Sequence, residues 1–459
     1  MKYTRDYDVR DFGAIGDNST INTTAIQTAI DQCSRTGGTV SIANGCYLTG
    51  TLYLRDNIHM KVEAGAVLKG SSCISDYSTD TFKHMYKNEE SLNICLLFAV
   101  DAQNIEISGM GCIDGNAELF PASFDPQKNR PMIFRFLNCS HLSMHHLSIR
   151  NTPSWAAVWL YCSDIIVEGV TVDSSFRGTS DCLDFDGCEN VRVTNCNLNA
   201  NDDCLCLQSS RVDRSCQNIS LTNCSFTSNW DAVRIGLLSR GNIENVTISN
   251  CVFHEIGHVG LLLELCEGGD MGNMVFTGLS MKNTRIPIFL AFYQQRACVD
   301  APEEVEPMGH MRGFIFSSIS CTFKKMPEKC SRYVEGVSEK NSLIFISGLP
   351  GHYIEDILFQ NMFLETNGDG TGNDAAGVPV PEFDLEYLKG WWAGIYRFDE
   401  DRIILPAHGV YARHVRGLRL SKVTIRSRFP DGRESIYVED GNNISCDNLD
   451  VENYVKGVS

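Results

Sequence analysis

No apolar stretch in the 459 residues approaches the roughly 20 needed to cross a bilayer. The opening, MKYTRDYDVRDFG, has no apolar core of the signal-peptide kind and runs straight into strand-like sequence. Basic residues are outnumbered by acidic ones. The net charge of −18 argues against nucleic acid or an anionic membrane as a partner. It also suits a long polyanionic substrate poorly, unless the groove is locally basic. Linkers, low-complexity tracts and a second domain are lacking, and the composition is not that of a disordered chain. The 20 cysteines include no CxxC with a matching partner pair, which excludes the common zinc scaffolds. Disulfide frameworks belong to short secreted chains, so buried free thiols in a reducing compartment are expected. These absences predict a cytoplasmic protein with no metal and no cofactor. Nothing in the sequence sets its oligomeric state.

What is present is a repeat. NVRVTNCNL from Asn190, NISLTNCSF from Asn218, NVTISNCVF from Asn245 and NMVFTGLSM from Asn273 start 28, 27 and 28 residues apart. The frame recurs at Asn104, His141 and Asp164, and returns late at Asp356, Gly417 and Asn443. Counting the start as place zero, apolar residues fall at places one and three, then at six and eight. Alternation of period two predicts strands. The break predicts a sharp corner at place five, held by Gly109, His146, Gly169, Asn195, Asn223, Asn250, Gly278, Asn361, Lys422 and Asn448. Gly and Asn tolerate the left-handed backbone that such a corner needs. Short strands with a tight bend in every coil make a parallel β-helix, an all-β solenoid. Asparagines stacked at the bend are expected to hydrogen-bond along the axis.

Cys196, Cys224 and Cys251 share place six of successive coils, which predicts an inward stack with a packing role. TTAIQTAIDQC places Ala25, Ile26, Ala29, Ile30 and Cys33 at helical spacing, and Gly37-Gly38 ends the run. This short amphipathic helix is expected to cap the open end of the core. Longer intervals at 104–141, 273–313, 313–356 and 356–417 predict loops, the usual carriers of binding residues. One domain over 1–459 is expected: a cap and first coils at 1–75, catalytic coils at 100–290, and C-terminal coils with long loops at 291–459.

The functional signal is acidic. GTSDCLDFDG supplies Asp181, Asp184 and Asp186; NANDDCLCLQS supplies Asp202 and Asp203. Separations slightly under one coil put the two groups on neighbouring coils, about 4.8 Å apart along the axis. Such crowding is costly unless the charges are used, shared or paired. Glycoside hydrolysis needs one protonated carboxyl and one ionised carboxylate. The competing readings are a solvated acidic face or a calcium site, which needs six to eight oxygens.

The chain resembles glycoside hydrolase family 28, the polygalacturonase-like, right-handed β-helices of the pectin-lyase-like class. VRDFGAIGD, GGTVSIANGCYLTGTLYLRDNIHMKVEAGAVL and NTPSWAAVWLYCSDIIVEGVTV carry the likeness, in the manner of the bacterial members. The family's Asn-Thr-Asp falls on Thr179-Ser180-Asp181 and its Gly-Asp-Asp on Asn201-Asp202-Asp203. The resemblance implies Asp202 as general acid, Asp181 and Asp203 as activators of water, and inversion at the anomeric carbon. Two motifs depart. Gly-His-Gly falls on Trp230-Asp231-Ala232, and the carboxylate-gripping Arg-Ile-Lys falls on Leu262-Leu263-Glu264. A GHVG string with His258 comes one coil late.

Losing those cations and gaining Glu264 favours a neutral or deoxy terminal sugar over galacturonate. Arg234 either replaces part of the lost charge or pairs with Asp231. Trp155, after NTPS, and Tyr293, in PIFLAFYQQR, are further candidates for sugar contact, as is Asp184. Trp391 and Trp392 are candidates to wall off one end of the groove. The sequence therefore points to an inverting exo-glycosidase acting on short pectin-derived or related plant oligosaccharides. A polysaccharide lyase on the same fold and a non-catalytic carbohydrate-binding β-helix are the alternatives. A lyase needs a base beside the uronate, and the site coils lack one. The missing histidine and Arg-Ile-Lys keep the binding module in play.

Overall fold

The computed structural model describes residues 5–81, 93–120, 130–294, 308–323, 340–368, 370–375, 379–388, 397–399 and 401–451. Trp391 and Trp392 lie outside them. Strands dominate, and every register between them is parallel, as in a right-handed parallel β-helix. The chain divides into two compact units. One is Met1–Cys206 with Asn218–Cys224; the other is Leu207–Gln217 with Ser225–Ser459.

In the first unit each coil contributes three strands. Ala157–Leu160 pairs with Leu183–Asp186, Ser163–Glu168 with Glu189–Thr194, and Thr171–Ser174 with Asn197–Ala200. Alternation sends Val191, Val193, Cys196 and Leu198 inward, where all are buried. Exact register also stacks like on like. Phe136, Trp159 and Phe185 share one row, with ring centroids 5.7 and 4.6 Å apart. Helix Thr23–Ser34 buries Ile26, Ala29, Ile30 and Cys33, and Gly37 turns the chain out of it at φ 71°. This is the cap that the spacing predicts.

The second unit has longer strands. Met271–Phe292 pairs with Val252–Leu265 on one side and with Met311–Thr322 and Ile344–Ser347 on the other. Ile354–Thr366 and Val415–Ser427 continue it. The row Phe276, Phe316 and Phe359 repeats the aromatic stacking at 4.8 and 4.9 Å. Arg413, fully buried, donates to the carbonyls of Val380 (2.6 Å) and Pro381 (2.8 Å) and so ties the 366–408 insertion to the coils.

All ten corner residues at place five have positive φ, from 49° at Asn448 to 121° at Gly109. So do the residues at place zero, among them Asn190 (59°), Asn218 (59°) and Asn273 (52°). The coil therefore turns on two left-handed corners, one more than the spacing revealed. The asparagine ladder runs at the other corner from the one expected. Asn190 donates to Asp164 (3.1 Å), Asn218 to Asn190 (3.3 Å), and Asn273 to Asn245 (3.3 Å), all at place zero. Side-chain amides there face along the axis, so each can reach the residue one coil below.

Candidate active site

Strand Leu183–Asp186 is held in register by its neighbour, and the turn before it delivers Asp181. The backbone fixes that turn. Asp181 O accepts from Ala156 N at 2.8 Å, and Cys182 N donates to Asp203 O at 3.0 Å. Asp181 Oδ1 in turn accepts from Asp203 N at 3.2 Å, which joins the two acidic motifs directly. Arg130, fully buried, grips the approach: Nη1 donates to Gly178 O at 2.7 Å and Nη2 to Thr179 Oγ1. Thr179 needs such a grip, because its φ of 52° is an outlier for a β-branched residue.

Asp181, Asp184, Asp202 and Asp203 are all buried in this unit. Burial first, then Asp184, Asp202 and Asp203, pushes the Asp181 carboxyl well above its ordinary range. The cluster thus keeps a proton at a pH where a lone carboxylate has lost it. Beneath it the Cys206 thiol donates to Asp203 Oδ2 (3.3 Å) and lies 3.9 Å from Asp181 Oδ2. Ligand atoms of Asp181, Asp203 and Cys206 fall within 4.8 Å of one another. Two carboxylates and a thiol are not the all-oxygen shell that calcium takes.

The second unit carries a different cluster. Asp231 Oδ1 accepts from Val259 N at 2.9 Å and sits 2.6 Å from His258 Nδ1. Trp230 stacks on the His258 ring at 3.8 Å. His258 Nε2 lies 2.9 Å from Asp399 Oδ2, in ion-pair range but off the hydrogen-bonding direction. Asp399 Oδ1 accepts from Arg285 Nη2 at 3.2 Å. Separately, Arg234 Nε donates to Glu264 Oε1 at 2.5 Å. Burial lowers the pKa of His258, but Asp231 and Asp399 outweigh it and hold the ring's pKa above the usual value. Burial raises Asp399, but Arg285 and His258 outweigh it and hold the acid low. At Glu264 burial wins over Arg234, and the carboxyl is raised.

These contacts bear on several expectations. Arg234 pairs with Glu264 rather than Asp231. The acids at positions 231 and 264 do not stand alone, because His258 and Arg234 each meet one of them. His258, one coil late in sequence, is brought beside Asp231. Trp155 is largely buried, at 7% exposure, and Tyr293 fully so, packed edge-on against Phe383. Burial pushes the Tyr293 hydroxyl far up, with Glu264 adding to it, and that hydroxyl has no hydrogen-bond partner among the described residues. Arg130, Cys206, Arg285 and Asp399 escaped the sequence reading. For Arg285 a signal existed: Asp231, His258 and Arg285 follow one another at intervals of 27 residues, the coil period.

The model of the family described as Glycosyl hydrolases family 28 matches residues 53–306. A probable polygalacturonase of Vitis vinifera is 27% identical over 212 residues, 43% of each chain. The exo-poly-alpha-D-galacturonosidase of Dickeya chrysanthemi is 37% identical over 116 residues, 24% of this chain and 19% of that protein. The matched stretches thus span less than half the length of these curated relatives. Among solved structures, the family 28 exopolygalacturonase of Yersinia enterocolitica aligns with a TM-score of 0.71 at 18% identity, covering 97% of this chain and 78% of that one. The exopolygalacturonase of Thermotoga maritima gives 0.65 at 21% identity, covering 79% and 87%. At these identities the structural likeness speaks for the fold.

Proposed function

The chain belongs to glycosyl hydrolase family 28, and on that premise we propose that it is an inverting, exo-acting glycosidase of short pectin-derived or related plant oligosaccharides. The observation that carries the reading is the bond from Asp203 N to Asp181 Oδ1, which gathers acids from two motifs into one buried cluster. Asp202 gives its proton to the glycosidic oxygen as the bond to the anomeric carbon breaks. Asp181 and Asp203, ionised at that moment, take a proton from the water that attacks the opposite face. Burial and the neighbouring aspartates raise the Asp181 carboxyl, and acids crowded in this way share protons, so that one can hold a proton while its neighbours stand ionised. Buried free thiols at every described place-six cysteine fit a reducing compartment, where short oligosaccharides rather than polymers are the available substrates.

Asp202→Asn tests the assignment. General acid–base catalysis is typically worth about 10²–10⁴ in rate, so turnover falls by that factor while the melting temperature holds. Retention of more than about a tenth of the activity sinks the role of Asp202. The product separates the reaction classes. A new reducing end marks hydrolysis, an unsaturated uronate absorbing in the ultraviolet marks a lyase, and no product from a panel of plant oligosaccharides marks a binding module.

A further inference from the structure

One side chain of the 366–408 insertion ends inside a cationic site. Asp399, 5% exposed, places one carboxylate oxygen 3.2 Å from Arg285 Nη2 and the other 2.9 Å from His258 Nε2. The far side of His258 is held at 2.6 Å by Asp231. Arg285 still has donors to spare, because its Nε and Nη1 are buried without an acceptor among the described residues. A planar carboxylate bridging a guanidinium and an imidazolium is the arrangement by which proteins grip an acid. Here the acid is the protein's own.

We propose that His258 and Arg285 form a carboxylate-binding site that the chain fills with Asp399. A tethered carboxylate competes at a high effective concentration against any free one. While it is seated, the charges of Arg285 and His258 are matched by those of Asp399 and Asp231. Without Asp399 one positive charge is uncompensated in a buried space of carboxylate size, and small buried cavities do take up ligands that fit.

The test is to empty the site and offer it an acid. Thermal melts of Asp399→Ala are compared in sodium acetate and in sodium chloride at one ionic strength. Acetate raises the melting temperature of Asp399→Ala above its value in chloride. It does not do so for the wild type or for the double variant Asp399→Ala, Arg285→Gln. No acetate-specific rise in the single variant, or an equal rise in the double, overturns the site. Should Asp399→Ala be recovered only unfolded, refolding yield in acetate must exceed that in chloride; equal yields overturn it as well.

Discussion

A carboxyl buried among other carboxyls is a liability that a merely structural site would have discarded. Asp181 is such a group: burial and three neighbouring aspartates raise its pKa. A raised carboxyl contributes its stability below the ordinary aspartate range, and that contribution is lost as pH climbs through the raised value. Asp181→Asn keeps an acceptor for the Asp203 amide and removes the charge. It should therefore melt higher than the wild type at pH 8, with the gap closing toward pH 3, while turnover is lost. Melts across that range check it, and a variant that melts lower at pH 8 contradicts it. Asp181, Asp202 and Asp203 were legible because each motif is contiguous and the coil period brings the two together. The partner of Arg234 was not. The choice between Asp231 and Glu264 depends on where one strand meets the next, with Arg234 opposite Leu262 and Glu264 opposite Gly236.

At the scale of the element, the corner decides. Lys422 holds a left-handed conformation at φ 54° with its side chain exposed, so its backbone bears strain at a position that suits glycine. An L-residue there costs roughly 1–2 kcal/mol, and a β-branched one more. Lys422→Gly should stabilise the second unit by up to about 1 kcal/mol once glycine's larger entropy loss is subtracted. Lys422→Val should destabilise it. Urea titrations of the two variants check the order, and a valine variant as stable as the glycine one contradicts it. At the capping helix, Ile30→Ala should cost about 2–4 kcal/mol, because Ile30 is wholly buried and deletion leaves a cavity; the same titration reads it. The corner at place five could be read because Gly and Asn hold eight of its ten positions against an apolar background. The corner at place zero was hidden in plain view, since an asparagine that starts a repeat looks like punctuation rather than conformation.

Across the whole molecule, long-range partners are what sequence conceals. Asp399 meets His258 from an insertion with no period of its own, so nothing in the repeat announces the pair. The pair sets two limits on pH. The raised ring of His258 gives stability that is lost as pH rises through its folded pKa. The lowered carboxyl of Asp399 gives stability that is lost as pH falls through its own. His258→Gln should remove the ring's share of the alkaline loss, leaving that of Asp181, and keep the Arg285 contact with Asp399; melts from pH 5 to 9 check it, and an alkaline loss as steep as that of the wild type contradicts it. The thiols make a simpler claim. The 18 described cysteines are free, so counting under denaturing conditions should find at least 18 thiols and no effect of reductant on melting. Fewer thiols would contradict it.

Those thiols also make the protein its own recorder. Cys196 and Cys224 lie in one unit and Cys251, Cys266 and Cys321 in the other, each at the core of a known coil and closed to reagents while that coil is intact. An alkylating agent added to the native protein can reach a given sulfur only during an opening, so the mass gained at each peptide over time becomes a log of which coils open and how often. Coils that open together acquire label together. The order of labelling along the chain thus marks where cooperativity ends, with no probe introduced and no residue changed.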